Sequence, residues 1–145
     1  DITLTADVKR VEWASADGYK DFGWQDQNVF ALGAEYRMDD LALRLGYNYA
    51  KNPIQNNMDT RSVAGGANTN GDTMNAFNHV LFPGVTEKHY TIGAGYQFTK
   101  NVGADVAFVY ATSPDVTVSG QTVNLGFITV SNNQTSVSAN LNYSF

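Results

Sequence analysis

The chain has no cysteine and only three prolines and two histidines in 145 residues. Without cysteine there are no disulfide staples, no cysteine–metal centres and no thiol catalysis. No stretch approaches the roughly 18 consecutive apolar residues of a membrane-crossing helix. Basic residues are also scarce: nine Lys and Arg against fourteen Asp and Glu leave a formal charge of -5 and a pI near 4.7. Such a surface repels phosphate backbones, so nucleic acid is not expected as a partner. His79 and His89 have no serine or aspartate at a spacing that marks a triad, so no catalytic residue is assigned and the chain is not read as an enzyme. No cofactor and no metal is expected. The nearest approach, Asn68-Thr69-Asn70-Gly71-Asp72, is a weak match to a calcium loop and lacks the closing bidentate glutamate.

What the chain does have is alternation. Five stretches alternate aliphatic residues with polar or small ones and carry aromatic residues at one end or at both, so that rings gather along both margins of the set. They are Phe30-Leu32-Ala34-Tyr36, Leu41-Leu43-Leu45-Tyr47-Tyr49, Tyr90-Ile92-Ala94-Tyr96-Phe98, Val102-Ala104-Val106-Phe108-Tyr110 and Val137-Ala139-Leu141-Tyr143-Phe145. A period of two is imposed by a strand. A soluble sheet has no reason to place rings at both ends of a strand, whereas a bilayer does, because Tyr and Phe settle at its two water boundaries. Each run spans about ten residues, the length that a tilted strand needs to cross the hydrocarbon. The mean hydropathy of -0.29 fits, since only alternate positions need be apolar. The expected class is all-β: an antiparallel, up-and-down transmembrane β-barrel segment of about six strands, in contact with outer-membrane lipid.

A sixth strand opens the chain, with Ile2, Leu4, Ala6 and Val8 outward. Beyond Val8 its parity blurs, because Arg10 and Glu12 would face lipid. Either a bulge resets the phase there or the strand has already left the bilayer, which is the favoured reading. Connections alternate short and long. Asp39-Asp40 suits a two-residue hairpin, and Thr99-Lys100-Asn101 a three-residue one with Asn101 in the left-handed position. The long links, 14–27, 52–87 and 113–132, are expected to be extracellular, and the short turns periplasmic. The turns set register: Tyr36 opposite Leu43, Leu32 opposite Tyr47, Glu35 opposite Arg44, Tyr90 opposite Tyr110 and Gly95 opposite Asp105. A slip of one residue would turn every apolar side chain into the lumen.

Residues 43–54 (LRLGYNYAKNPI) and 81–93 (LFPGVTEKHYTIG) resemble the FadL-type outer-membrane transporter family, which carries long-chain fatty acids and aromatic hydrocarbons. Trp13 after a strand, residues 33–37 (GAEYR) and the closing 141–145 (LNYSF) resemble it in the same order. The resemblance implies a fourteen-stranded barrel with an N-terminal plug, a cell outer membrane location in a Gram-negative bacterium, and passive uptake of a hydrophobic small molecule. Six strands cannot close around a lumen, for which about eight are needed. Residues 1–145 therefore read as the C-terminal part of a single barrel domain, with the N-terminal strands and plug of the same protein as missing partners. The alternative is that several copies build one barrel.

Candidate site residues follow. The back of the longest loop carries Met74, Phe77, Val80, Leu81, Phe82 and Val85, and such residues are costly in water unless they fold onto something or receive something apolar. Phe77, Leu81 and Phe82, with Trp13 and Trp24 nearby, are the expected substrate-binding residues; a lid over the barrel mouth is the other reading. Lys20 joins them because the resemblance implies cationic groups near the capture site. Glu35, Arg44 and Asp105 are lumen charges, with Arg37, Asp7 and Lys9 on the same face; they either line a passage or brace the wall. Gly33, Gly46, Gly93, Gly95 and Gly103 leave room for a ligand or permit bends, with bends favoured. Rival functions are a structural or adhesive outer-membrane barrel and a general porin.

Overall fold

A computed structural model describes the chain except residues 55, 57–60, 63–67, 84 and 122–123. Six long strands form one antiparallel sheet: β1 (Ile2–Val11), β2 (Gln27–Met38), β3 (Leu41–Ala50), β6 (Lys88–Gln97), β7 (Val102–Thr112) and β10 (Asn133–Tyr143), hydrogen-bonded in that order. Between them lie the two-residue pair β4 (Arg61–Ser62) and β5 (Asn68–Thr69), the helix α1 (Gly71–Leu81), and the hairpin of β8 (Val116–Gly120) and β9 (Gly126–Val130). Each long strand pairs with the next one along the chain, giving an up-and-down meander.

The register is the one that the turns dictate. Glu35 opposes Arg44, Leu32 opposes Tyr47, Tyr90 opposes Tyr110 and Gly95 opposes Asp105. Across the whole sheet this aligns one outward row, Leu4, Ala34, Leu45, Ile92, Phe108 and Val137. The next row toward the long connections is Ala6, Leu32, Tyr47, Tyr90, Tyr110 and Thr135. Leu45 and Ile92 are 61% and 56% exposed although nothing polar surrounds them. A protein interior would hide such side chains; here the face is turned to lipid, and the buried residues of the chain sit mainly among the connections instead.

At the start of β1 the ladder runs unbroken from Ile2 opposite Tyr36 to Val11 opposite Gln27, which removes the bulge alternative. Arg10 keeps the outward parity and meets Asp26 at 2.8 Å, beyond the level of Val8 and Phe30. The Asp39-Asp40 turn has Asp39 at φ 49, the left-handed conformation that a tight hairpin needs. Asn101 departs from expectation. Its φ is not positive; Thr99 Oγ1 instead accepts from the backbone N–H of Asn101 at 3.2 Å and of Val102 at 3.1 Å. Asn101 then donates to the Ser144 carbonyl at 2.6 Å, tying the turn to the last strand. A side-chain hydroxyl thus does what a left-handed residue was expected to do.

Candidate functional site: an aromatic loop cap above a braced wall

Residues 12–26 leave β1 and return as a compact loop, and α1 lies over it. Asn70 caps α1, its Oδ1 accepting from Thr73 N at 2.9 Å, so the supposed calcium segment is a strand end and a helix start. From there Met74, Phe77, Asn78 and Leu81 recur at helical spacing. Met74 is 1% exposed, and Val118 of β8 is equally buried. The Gly- and Asn-rich front of the longest loop, 65–71, reads from its sequence as a flexible tip; its residues 65–67 lie outside the described residues.

Six rings form a continuous chain. Tyr19 packs against Trp13 at 4.6 Å and against Trp24 at 4.9 Å; Trp24 meets Phe82 edge-on at 5.6 Å; Phe82 lies 6.1 Å from Phe77, which stacks on Phe22 at 4.4 Å. Offset and edge-on pairs of this kind each contribute about 0.5–1.5 kcal/mol beyond area burial. Polar groups lock the pieces together. Trp24 Nε1 donates to Asn78 Oδ1 at 3.1 Å, and Asn78 Nδ2 donates to the Phe22 carbonyl at 2.8 Å. Asn75 Nδ2 donates to the Ser119 carbonyl of β8 at 2.9 Å, so all three long connections are joined. Buried amides satisfied on both sides fix one arrangement, whereas grease alone would permit several.

Of the expected capture residues, Trp13, Trp24, Phe77 and Phe82 come together in this cluster. Leu81 stays at its rim, 59% exposed, beside exposed Val80 and with Phe82 42% exposed. Lys20 does not join them. It bonds Asp17 in its own loop; that carboxylate holds the lysine pKa above its ordinary value, and the ammonium in turn lowers that of Asp17. Tyr19, Phe22, Asn75 and Asn78 belong to the cluster without having been singled out. His79 is buried, its Nδ1 donating to the Asn75 carbonyl at 3.0 Å while Nε2 has no partner among the described residues. Burial pushes its pKa below the ordinary histidine value.

On the inward face the charges form one chain. Arg37 Nη2 meets Glu35 at 3.0 Å, Arg44 Nε meets Glu35 at 2.7 Å, Arg44 Nη1 meets Asp105 at 2.8 Å, and Asn142 Nδ2 donates to Asp105 at 2.9 Å. Arg44 on β3 reaches β7 by passing over β6. Gly95 makes that possible: a Cβ there would collide with the Asp105 carboxylate and stand 3.1 Å from Arg44 Nη1. Gly33 and Gly103 likewise leave room for the Thr5 and Gln97 side chains, whereas Gly46 has only ordinary contacts around it and Gly93 lies closest to a backbone carbonyl. No bulge interrupts the ladder there, and none of the five has a positive φ. Asp7 and Lys9 share this face and have no ion pair among the described residues. Among the described residues no group of three or more His, Asp and Glu could hold a metal.

Set beside known proteins, residues 4–145 match the model of a family described as outer membrane protein transport protein (OMPP1/FadL/TodX). A search of curated proteins finds no match. The fold is similar to the crystal structure of the P. putida toluene transporter TodX, with 20% identity and a TM-score of 0.59 over 99% of this chain. The chain spans 31% of that transporter's length.

Proposed function

The chain belongs to the OMPP1/FadL/TodX family of outer-membrane transport proteins, β-barrels rather than enzymes, and from that footing we propose that it contributes to passive uptake of hydrophobic molecules such as long-chain fatty acids or aromatic hydrocarbons. The observation that carries the proposal is the loop cap. Six packed rings give a rigid apolar platform, and Val80, Leu81 and Phe82 at its edge are open to solvent. A hydrocarbon landing there removes apolar area from water on both partners. Each methylene buried contributes about 0.8 kcal/mol, enough for an acyl chain to be held briefly without a charged anchor. Lys20, paired with Asp17, is not needed for that capture.

The inward charges serve this reading as a brace. Glu35 and Asp105 are balanced by Arg37 and Arg44 across four strands, which stiffens the wall through which or along which the molecule then diffuses. Neither step needs an energy source, since the ligand moves down its own gradient. The substrate is left as a class, because apolar sites separate alkyl from aryl groups weakly.

The test is uptake of a labelled long-chain fatty acid, and separately of toluene, by cells with and without the full-length protein. The protein should accelerate at least one of them, and Val80→Ser with Leu81→Ser, both exposed and outside the ring contacts, should slow it while leaving folding intact. Equal uptake with and without the protein would overturn the transporter reading. A large, steady ionic conductance in planar bilayers would favour a general porin instead.

A further inference from the structure

Arg10, Lys20, Arg37 and Arg44 each reach a carboxylate within 4.0 Å. Lys9, Lys51, Lys88 and Lys100 have no ion pair among the described residues, in a chain whose net charge is -5. Of these four, Lys51 and Lys88 are the two with outward parity on the side of the long connections. Their positions are specific. Lys88 has the outward parity of Tyr90 and Ile92 and is the register partner of Tyr49. Lys51 follows β3 directly, two residues after Tyr49 and in its parity, which makes the two lysines diagonal cross-strand neighbours roughly 7–8 Å apart at the backbone. The nearby acids are engaged elsewhere: Asp26 is held by Arg10, and Glu87, of inward parity, accepts the Asn52 backbone N–H at 2.9 Å. Both lysines lie on the side of the long connections, where an outer-membrane barrel meets the outer leaflet.

Directly beneath them the lipid-facing wall is hollowed. A depression of about 750 Å³ is lined by Leu4, Leu32, Leu45, Ile92, Phe108 and the Tyr47–Tyr90 ring pair, whose centroids are 5.2 Å apart. An apolar trough that ends in tyrosines and then in two unneutralised ammonium groups has the polarity of an acyl lipid bearing a phosphate. We propose that Lys51 and Lys88 form a seat for a phosphorylated glycolipid of the outer leaflet, its phosphate between the ammonium groups and an acyl chain in the depression. Lys51 is exposed and Lys88 half-buried, and lysines so close to water hold a free anion weakly. Next to hydrocarbon, where the acyl chain anchors the phosphate at the right depth, the same charges count for more.

The test uses the full-length protein in nanodiscs and measures retained lipid by native mass spectrometry, with bisphosphorylated lipid A as the probe. Wild-type protein should retain it. Lys88→Gln should retain about fivefold less, and the Lys51→Gln/Lys88→Gln double variant roughly 25-fold less, following the usual contribution of a surface lysine beside anionic lipid. Enzymatically dephosphorylated lipid A should bind wild type as weakly as the diphosphate form binds the double variant. Lys100→Gln, in the opposite turn, should behave as wild type. Folding is checked by heat-dependent gel mobility, and the single variant decides the matter should the double fail to fold. Equal retention by wild type and the folded variants would overturn the proposal, as would equal binding of dephosphorylated lipid. Displacement by millimolar inorganic phosphate would assign the lysines to a free-anion site and overturn it too.

Discussion

The wall and the loop cap draw on the same residue types and are held together by opposite means. In the wall, rings and aliphatic side chains are exposed, their neighbours are fixed by strand pairing, and in the four inner strands the backbone ladder satisfies on both sides the polar groups that lipid could not. In the cap the rings face one another, and side-chain amides supply the hydrogen bonds that a ladder supplies elsewhere: Trp24 and Asn78, 54 residues apart, bond directly. An exposed leucine therefore means two different things in one chain. On β3 it means that lipid is the partner; on α1, under the proposed function, it means a landing place for a hydrophobic molecule.

That contrast can be broken in several ways. The largest effect is expected in the cap. Trp24→Ala removes rings from contact with Trp13, Tyr19 and Phe82 and strips the partner from Asn78 Oδ1. The local cost should be about 3–5 kcal/mol. Hydrogen exchange should rise across α1 and stay unchanged in β3 and β6; equal loss in the strands would show that the two regions fold as one unit.

In the wall, Leu45→Arg should cost about 2–4 kcal/mol in folding titrations in lipid vesicles, against far less for Asn48→Arg, whose side chain lies on the other face. Gly95→Ala should cost about 1–3 kcal/mol, because the new methyl group displaces the Asp105 carboxylate or the Arg44 guanidinium. Gly46→Ala is the control: the nearest atom, Thr91 Cβ, would be 3.4 Å away, and stability should change by about 0.5 kcal/mol or less.

The smallest effect is a pH dependence confined to the cap. His79 has a folded pKa below its unfolded value near 6.5, so the unfolded cap binds the proton more readily. Cap stability should be complete above pH 6.5 and fall as the pH drops through the folded pKa, by at most about 1.4 kcal/mol per pH unit. Protonation places an N–H on Nε2, which has no partner among the described residues. The change should appear in Trp24 fluorescence between pH 7 and 5, and His79→Gln should flatten it.

How legible each region was follows from how it is held. Wall strands, registers and the Asp39 turn depend on neighbours in sequence and on a two-residue period, so the order of residues reveals them. The Asn101 turn was misjudged because a threonine hydroxyl and an asparagine side chain offer the same service by different routes. The reason for Gly95 lies in Arg44 crossing a strand, which register alone does not disclose. In the cap, Trp13, Trp24, Phe77 and Phe82 could be picked out as apolar residues in loops, but α1 and the β8–β9 hairpin were missed. Signals existed: Asn70 followed by Met74, Phe77 and Leu81 at helical spacing, and alternation in Val116, Val118, Ile128 and Val130. Tyr19, Phe22 and Asn78 had none, because their roles arise only when distant segments meet.

The central claim is that the sheet has a lipid face and a water face that alternate residue by residue. Residues 1–145 hold no cysteine, so in a full-length protein whose other cysteines, if any, are replaced by serine, single cysteines can be placed along β3 from position 41 to 50 and labelled with a nitroxide. Accessibility to oxygen, which concentrates in lipid, and to a water-soluble nickel chelate should then be measured in vesicles of the full-length protein. The account predicts oxygen maxima at 43, 45 and 47 and chelate maxima at 44, 46 and 48, exactly out of phase. A period near 3.6, or the same accessibility on both parities, would contradict it.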